Sequence, residues 1–487
     1  MLPALTRPDP ERRDSERRDS MPVQIHRDLL AAIRDGRLAD GAKLPSSRAA
    51  AEGLGVSRST VNTAYDLLRA EGVLRIRPGA APEVVAPALP AGSRRDAAPP
   101  GLSRRGASLC KDPRARSYGA GSGAMSPGVP AEAQFPADEW AQALRRAARR
   151  THGELAAYAE PFGHPALRRI LAQRLRADRG LRVGPEQILI TTGTQAALSL
   201  VAQAMTDPGE TAAMEDPGYP GARGAFLGAG LHIAPVPTDA EGIRVDRVPR
   251  EARLIYVTPS NQYPLGSRLS LARRLALLEH ARSRSALILE DDYDSEFLWR
   301  GREIAALAAH GQGGETVYLG SAAKVLMPGL RIGWMAVPEA LVEPLRQAQR
   351  NLGLLPNLHA QLALADMMET GRYRAHLRRI SRAYEALGNA LYEALARVEG
   401  IGVEPPDGGV QLALRLRDGT VERLAVEALA ARGFRPARLS ACSLNATVSG
   451  LIVGFADATP ALIADFAATL DRVTGAGARH GSPHRRS

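Results

Sequence analysis

Segments of strand length alternate with amphipathic helical segments over most of this chain, from about residue 118 to 475. Five apolar segments predict strands, at 187–191, 211–215, 253–258, 286–291 and 316–320. Three segments with a helical period predict helices, at 195–205, 271–282 and 372–398. Strands and helices that alternate through short connections form parallel sheets covered by helices. The sequence therefore predicts an α/β fold with a mainly parallel sheet.

A helical region precedes this domain, in residues 21–87. Its first segment has four apolar residues on one face, Ile25, Leu29, Leu30 and Ile33. Ser57 is placed to cap a third segment that runs to about Glu71. Four residues of that segment are predicted to face inward: Val61, Ala64, Leu67 and Leu68. Two helices joined by a short turn with glycine are typical of a helix-turn-helix, although a plain three-helix bundle fits the same spacing.

The third helix of this region would present polar residues near its N-terminus. The outward set is Arg58, Ser59, Thr60, Asn62 and Thr63. Such side chains hydrogen-bond to phosphates and base edges. The formal net charge of +11 and a pI of about 10.1 permit nucleic-acid binding without requiring it.

Composition divides the rest of the chain. Residues 1–20 hold Glu-Arg-Arg-Asp-Ser twice in tandem and predict a charged, disordered tail. Residues 88–115 are rich in Pro, Ala, Gly, Ser and Arg without a regular period, which favours a linker. The α/β domain is expected to span residues 116–475, and residues 476–487 a second disordered tail.

Several classes of protein are disfavoured. No apolar run reaches the ~18 residues that a membrane span needs, and the N-terminal tract lacks the apolar core of a secretory signal. Two cysteines, Cys110 and Cys442, cannot form a disulfide framework, which suits a reducing compartment. We therefore expect a cytoplasmic protein without a membrane partner or a metal site.

Lys324 is one of only three lysines in a chain that has 63 lysines and arginines together. Arginine stays charged in proteins, whereas lysine can become a neutral nucleophile and form a Schiff base. The alternative is a surface lysine left over from a drift toward arginine. Because Lys324 follows a predicted strand, in Val317-Tyr-Leu-Gly-Ser-Ala-Ala-Lys324, we predict that it anchors an aldehyde cofactor.

A phosphate-binding turn is predicted where the strand that ends at residue 191 passes into a helix. Main-chain N–H groups at a helix N-terminus bind phosphates. Three residues there suit this role: Gly193, Thr194 and Gln195. Ser321 and Arg331, on either side of Lys324, are expected to complete the phosphate site.

The remaining parts suit an aromatic ring with a protonated nitrogen. Asp291 ends a predicted strand and would hold a pyridinium nitrogen in its protonated form. Tyr293 would reach a ring hydroxyl, and Tyr219 would stack on the ring. Asp292 would point to the other face of the sheet, and a register shift of one residue would exchange the two aspartates. Together these segments predict a site for pyridoxal 5'-phosphate (PLP), with Lys324 as the Schiff-base lysine.

The N-terminal region resembles the winged helix of GntR-type regulators. The resemblance lies in Arg-Asp-Gly-Arg-Leu at 34–38, Gly-Ala-Lys-Leu-Pro-Ser-Ser-Arg at 41–48, Leu-Gly-Val-Ser-Arg-Ser-Thr-Val at 54–61 and Ala-Glu-Gly-Val at 70–73. It implies that Arg48, Arg58 and Thr60 contact DNA, and we add Ser57 and Asn62 as candidates. The wing departs from the family, because residues 78–82 read Pro-Gly-Ala-Ala-Pro where a Gly-Ser-Gly-Thr-like tip is usual.

The rest of the chain resembles fold-type I aminotransferases. Further matching text is Ser-Pro-Gly-Val-Pro at 126–130, Gly-His-Pro-Ala-Leu-Arg at 163–168, Pro-Ser-Asn-Gln-Tyr-Pro at 259–264 and Pro-Gly-Leu-Arg at 328–331. The fusion of a GntR-type head to this domain is similar to the MocR family of transcriptional regulators. The resemblance implies large and small subdomains and a homodimer with cofactor pockets near the interface. It also implies Asn261 or Gln262 near the cofactor.

Two departures bear on activity. The family often has serine directly before the lysine, where this chain has Ala323. Fold-type I enzymes bind the substrate carboxylate through an arginine near a strand end, and this chain has Ile452 where that arginine is expected. Arg435 or Arg438 would have to replace it.

Three functions are open on the sequence alone. The first is a PLP-dependent regulator that binds operator DNA and senses an amine, an amino acid or PLP. The second is an active aminotransferase with an appended DNA-binding head, and the third is a degenerate scaffold that only pairs two heads. The departure at Ile452 favours a regulator with at most residual aminotransferase activity, and the full set of cofactor residues disfavours the scaffold.

Overall fold

The computed structural model describes residues 20–86, 101–111, 123–150, 162–297, 299, 305–445 and 448–479. The chain divides into two compact units, with the boundary between Gly101 and Leu102. Residues 1–19 and 480–487 of the predicted tails, and most of the predicted linker, lie outside the described residues. Among the described residues, no helix has both the length and the apolar character that crossing a bilayer requires.

The first unit is a winged helix-turn-helix. Its elements are α1 (Met21–Arg34), α2 (Ser47–Leu54), α3 (Arg58–Ala70), β1 (Leu74–Arg75) and β2 (Glu83–Val84). The two strands pair in antiparallel fashion and form the wing. Ser46 and Ser57 cap α2 and α3, since each hydroxyl accepts a hydrogen bond from a main-chain N–H of the first turn.

One residue that the sequence assigned to the core of this unit is exposed, so that prediction is wrong. Leu67 is 38% exposed, whereas Tyr65 is buried beside Val61, Ala64 and Leu68. The buried set follows the i, i+3, i+4, i+7 spacing, in which position 65 shares a face with 61 and 68 while 67 does not. The Tyr65 hydroxyl satisfies its hydrogen-bonding capacity by donating to the carbonyl of Pro45 at 3.0 Å.

The second unit contains the remaining described helices. They are α4 (Arg104–Lys111), α5 (Ala137–Arg150), α6 (Pro165–Arg179), α7 (Thr194–Met205), α8 (Pro220–Ala229), α9 (Leu271–Arg284), α10 (Glu339–Asn351), α11 (Leu358–Glu369), α12 (Arg372–Leu395), α13 (Gly419–Ala431) and α14 (Pro460–Arg479).

Eight of its strands form the large sheet. They are β3 (Ile188–Thr191), β4 (Thr211–Asp216), β5 (His232–Asp239), β6 (Gly242–Ile243), β7 (Ala252–Val257), β8 (Leu287–Asp291), β9 (Thr316–Ser321) and β10 (Gly333–Ala336). The order is β3-β10-β9-β8-β7-β4-β5-β6. Strands β5, β4, β7, β8 and β9 run parallel, β10 is antiparallel to both of its neighbours, and β6 is antiparallel to β5. The mainly parallel sheet that the sequence predicts is confirmed.

Both faces of this sheet are covered. Leu254 and Leu289 pack with the apolar residues of α7 and α8 on one face. Ile255 and Ile288 point the other way and pack against α9. This burial on two sides explains why the strands read as continuous apolar runs.

A smaller sheet makes the second subdomain of this unit. Its strands are β11 (Gly402–Val403), β12 (Gln411–Arg415), β13 (Ala437–Arg438) and β14 (Gly450–Gly454), in the order β11-β12-β14-β13 and antiparallel throughout. Large and small subdomains agree with the expected fold class.

Part of the predicted linker is folded. Residues Arg104–Lys111 form α4, where Ser103 accepts a hydrogen bond from the N–H of Gly106 at 3.1 Å. The side chain of Leu109 lies against α8 at Gly228, although it remains 39% exposed. A helix this short is stabilised by packing on its neighbour and not by its own periodicity, so the sequence pattern does not reveal it.

The last helix extends past residue 475, where the α/β domain was expected to end. Helix α14 runs to Arg479, four residues into the segment 476–487 that the sequence assigned to a tail. Gly475 does not end it, since one glycine costs a helix interior only about 1 kcal/mol relative to alanine.

Candidate functional site

The pairing of β3, β9 and β10 brings two distant turns to one end of the large sheet. Gly333, the first residue of β10, lies opposite Thr191 at the end of β3 and opposite Ser321 at the end of β9. The turns that follow β3 and β9 therefore emerge side by side. Ligands of open α/β sheets bind at this carboxyl edge of the strands.

The turn after β3 is shaped for close approach to a ligand. Gly193 caps α7 with φ of 114°, a conformation that favours glycine. A Cβ added to Gly193 would lie 3.9 Å from the guanidinium of Arg331, so the two predicted phosphate residues are neighbours. The helix N-terminus at Thr194 and Gln195 faces the same end of the sheet, where Ser321 ends β9. The structure thus brings together the five predicted phosphate-site residues.

Asp291 occupies the last position of β8 and is buried. Its Oδ2 accepts a hydrogen bond from the Tyr256 hydroxyl at 2.8 Å, while its buried Oδ1 has no hydrogen-bond partner. Burial raises the pKa of Asp291 to about 7, against the hydrogen bond from Tyr256. A buried carboxylate oxygen without a partner needs a donor, because leaving it unsatisfied is costly.

Asp292 faces away from this site. Its Oδ2 lies 2.9 Å from Nε of Arg179 and accepts a hydrogen bond from the Tyr318 hydroxyl at 2.5 Å. Asp291 and Asp292 therefore project from opposite faces, as the alternation of side chains along a strand requires.

Lys324 lies in the turn that follows β9. Its Nζ donates a hydrogen bond to the carbonyl of Gly128 at 2.5 Å. Burial lowers the pKa of the Lys324 amine, and the carboxylates of Asp294 and Asp291 partly oppose this shift. A lowered pKa increases the fraction of neutral amine, which is the nucleophilic form.

Asp294 contacts two of the residues that are predicted to lie near the cofactor ring. Its Oδ2 accepts a hydrogen bond from Nδ2 of Asn261 at 2.6 Å, and Tyr293 lies beside it. Gln262 instead donates to the carbonyl of Pro217 at 2.8 Å. Of the two candidates at 261 and 262, Asn261 is the one within the cluster around Lys324.

The aromatic side of the site consists of Tyr219 and its neighbours. Tyr219 lies 6.5 Å from Tyr256 with nearly parallel rings and 5.3 Å from Tyr263 in an edge-on arrangement. Gly221 lies beneath the Tyr219 ring, since an added Cβ would come within 2.3 Å of it. The ring of Tyr219 is held over the same end of the sheet as Asp291.

Position 452, where an arginine that binds a substrate carboxylate is expected, holds an isoleucine. Ile452 is fully buried, in an apolar cluster with Leu439 and Cys442. Arg435 donates to the carbonyls of Ala430 and Phe434, so its guanidinium is engaged at the end of α13.

Three residues of this site were missed in the sequence: Gly128, Tyr256 and Asp294. Asp294 belongs to the acidic run that begins at Glu290 and could have been chosen with Asp291. Gly128 lies in a matching motif, but nothing in the sequence signals a contact 196 positions away. Tyr256 reads as an ordinary strand residue.

The candidate DNA-reading surface is on α2 and α3. Arg48, Ser57, Arg58 and Asn62 are exposed, and Thr60 is partly exposed. The guanidinium of Arg58 donates to the Ser47 hydroxyl at 3.3 Å, which orients it between the two helices. The hydroxyl of Ser57 is engaged as the cap of α3, and it also lies 2.7 Å from that of Thr60.

Comparisons with known proteins agree with this architecture. Residues 23–84 match the family described as bacterial regulatory proteins, gntR family, and residues 126–441 match aminotransferase class I and II. The fold and the site thus define a GntR-type winged helix fused to an aminotransferase-like domain.

Relatives with the same two parts are known. The chain is 37% identical to the probable rhizopine catabolism regulatory protein MocR of Rhizobium meliloti, over 90% of each chain. It is 32% identical to the pyridoxine biosynthesis transcriptional regulator PdxR of Corynebacterium glutamicum, over 86% of this chain and 88% of that one. The structure of LysN, an α-aminoadipate aminotransferase of Thermus thermophilus complexed with a phosphopyridoxyl-leucine, aligns with a TM-score of 0.70 and 27% identity, over 78% of this chain and 98% of that one. The chain belongs to the MocR-type family of GntR transcriptional regulators.

Proposed function

We propose that the chain is a cytoplasmic, homodimeric regulator that binds operator DNA through its winged helix and holds PLP in its second unit. An amine, an amino acid or PLP itself would set its affinity for the operator. The observation that carries the PLP site is the buried, unpartnered Oδ1 of Asp291 at the end of the sheet where Lys324 and the phosphate-binding turn meet.

The donor set fits PLP. Gly193, Thr194 and Gln195 offer N–H groups at a helix N-terminus, with Ser321 and Arg331 beside them, and this combination suits a phosphate dianion. When bound, PLP supplies an aldehyde for a lysine amine and a ring that withdraws electrons when its nitrogen is protonated.

Each remaining residue has a role toward such a ring. Oδ1 of Asp291 would accept the hydrogen bond of the ring nitrogen and keep its proton in place. Asn261 and Tyr293, both beside Asp294, would face the ring hydroxyl. Tyr219 would stack on the ring face, and Lys324 would hold the aldehyde carbon.

A route from this site toward the head is available through α8 and α4. Tyr219 is the N-cap residue of α8, and Leu109 of α4 packs against Gly228 near the other end of α8. A ligand that displaces Tyr219 would shift α8 and with it α4. Helix α4 is the first described helix after the winged helix in the chain, and a shift of α4 would be read out as a change in operator affinity.

An active aminotransferase is the second candidate. The lowered pKa of Lys324 favours it, because transamination needs a neutral lysine amine. The burial of Ile452 where a carboxylate-binding arginine is expected weighs against efficient turnover. The names of the two regulatory relatives, which refer to rhizopine catabolism and pyridoxine biosynthesis, further support regulation.

The two units allow a direct test. Deletion of residues 1–101 should abolish operator binding and leave a yellow protein that retains PLP through gel filtration. The full chain should bind its operator and retain PLP. A truncated chain that loses PLP, or one that still binds the operator, would contradict the assignment of the two functions to the two units.

A further inference from the structure

The two central strands of the small sheet carry a row of uncharged residues on the side that faces away from the main apolar core. Strand β12 pairs with β14 so that Gln411 lies opposite Gly454 and Ala413 opposite Ile452. The intervening Leu412 and Val453 point to the opposite side and lie in the main apolar core. We refer to Gln411, Ala413, Ile452 and Gly454 as the β12–β14 face.

This face contacts the cofactor site at two places. Tyr263, which lies edge-on to both Tyr219 and Tyr293, packs against the cluster that contains Ile452. Oε1 of Gln411 lies 3.4 Å from the position of a Cβ on Gly128, the residue whose carbonyl binds Lys324. A ligand on Lys324 would therefore lie close to Gln411 of the β12–β14 face.

Three arginines of the second unit are engaged elsewhere or lie at a distance from this face. Arg435 donates to the carbonyls of Ala430 and Phe434, and Arg223 of α8 donates to the carbonyl of Ala441 at 3.2 Å. Arg415 is four residues beyond Gln411 along β12, roughly 13 Å away, and is exposed. The four residues that define the β12–β14 face are uncharged, and Arg415 is the next residue on the same side of β12.

The groups that surround Lys324 are mostly acceptors. They are the carbonyl of Gly128 and the carboxyl groups of Asp291 and Asp294, both of which attract the lysine charge. A second carboxylate, brought in by a ligand, would be desolvated without a cationic partner and placed near these groups. Burying an unpaired charge is strongly unfavourable.

We infer that the effector is a primary amine without a carboxylate, whose far end is neutral and carries hydroxyl or other uncharged groups. This inference rests on the proposed function, because the amine end is taken to meet the PLP-loaded Lys324. The Gln411 amide would hydrogen-bond to a hydroxyl of the effector, while Ile452, buried beside Leu439 and Cys442, offers no cation where an arginine is expected.

Matched alcohol and acid pairs test this inference. Ethanolamine against glycine, and 4-aminobutanol against 4-aminobutanoate, differ only in the far group. Each would be titrated into PLP-loaded full-length protein by calorimetry, with the visible absorbance recorded in parallel. We expect the alcohol of each pair to bind roughly 10-fold or more tightly than the acid. Acids that bind equally or more tightly would overturn the inference.

Two substitutions test the role of the β12–β14 face. Gln411→Arg should raise the affinity for the acids and so reduce or reverse the preference for the alcohols. Ile452→Arg should do the same if the protein folds with this substitution. Gln411 is only partly buried, so its variant keeps the test decisive if Ile452→Arg does not fold. Arg417→Gln, on the exposed end beyond β12, should leave the preference unchanged. An unaltered preference in Gln411→Arg would remove this face from effector recognition.

The outcome also separates this inference from the proposed function. If no amine of either kind binds, while PLP still changes operator affinity, the amine inference fails and regulation by PLP stands. If neither amines nor PLP alter operator affinity, the proposed function fails as well.

Discussion

The amine of Lys324 donates a hydrogen bond to the main-chain carbonyl of Gly128, with 2.5 Å between the nitrogen and the oxygen. Gly128 has φ of 73°, and a Cβ added to it would lie 2.9 Å from that nitrogen. Only glycine lets the backbone approach the lysine so closely without strain.

This contact joins the two subdomains. The segment that contains Gly128 is bound to the small sheet, because the N–H of Gly454 donates to the carbonyl of Met125 at 2.9 Å. Lys324 follows β9 of the large sheet. If Lys324 formed an imine with a cofactor aldehyde, its nitrogen would keep at most one hydrogen, and the hydrogen bond to Gly128 would be weakened or lost.

Lys324→Ala should abolish covalent attachment of PLP. The purified wild-type protein should be yellow, and borohydride treatment should fix the cofactor on the peptide that contains Lys324. Lys43→Ala, on the exposed surface of the head, serves as the control and should retain full labelling. A peptide map that places the label on Lys43 or Lys111 would refute the assignment.

Asp291→Asn should change the pH dependence of stability in the cofactor-free protein. Folding raises the pKa of Asp291 from 3.8 to about 7, so the folded state binds this proton more tightly than the unfolded state. Ionisation of Asp291 therefore lowers the free energy of unfolding as the pH rises from about 4 to 7. The Asp291→Asn substitution removes this pH-dependent loss. The gain in the free energy of unfolding should be ~2 kcal/mol larger at pH 8 than at pH 5, measured by urea denaturation.

The same substitution should have the opposite effect on PLP retention. Removing the carboxylate that faces the ring nitrogen breaks one side of a buried pair, which costs about 3–5 kcal/mol. Asp246→Asn, at an exposed surface ion pair with Arg244, is the matched control for both measurements. Equal PLP affinity in the two variants would show that another group holds the ring nitrogen.

Arg58→Ala should weaken operator binding. If its guanidinium reads a base edge, the loss is about 1–3 kcal/mol and specificity relaxes at one base pair. Arg69 is exposed near the other end of α3 and pairs with Asp66, so Arg69→Ala should have little effect. Binding curves on wild-type and single-base variants of the operator give both quantities. An equal loss on every sequence would assign Arg58 to phosphate contact instead.

Leu109→Asp should uncouple effector binding from DNA binding. Leu109 of α4 lies against α8 at Gly228, and burying a charge in that contact would weaken the packing of the two helices. Operator affinity should then respond little to PLP or amines, while PLP retention stays unchanged. Leu102→Asp is the control, because Leu102 is 70% exposed. A full response in Leu109→Asp would exclude this route.

Local sequence patterns were sufficient to predict the strands and helices around the candidate site. Asp291 could be placed at a strand end because buried strands are continuous apolar runs, and Ser57 could be placed as a cap because its hydroxyl precedes a helical period. The absence of an arginine at position 452 could also be identified from the sequence, because the residues around it mark the position. In each case the evidence lies within a few residues of the position.

Contacts between distant segments could not be predicted in this way. The bonds of Lys324 to Gly128 and of Tyr256 to Asp291 depend on how strands order within the sheet. Helix α4 depends on a groove that α8 provides. Leu67 was assigned to the core because it is apolar, although the helical period favours Tyr65, and here the pattern was misread.

Operator affinity measured on one preparation in three states tests the central claim most directly. The states are cofactor-free protein, PLP-loaded protein, and PLP-loaded protein saturated with an amine that binds. We predict a difference of roughly 5–150-fold between at least two states, with DNA changing ligand affinity by the same factor, as linkage requires. Identical operator affinity in all three states would contradict the account and leave the second unit as an enzyme or a dimerisation scaffold.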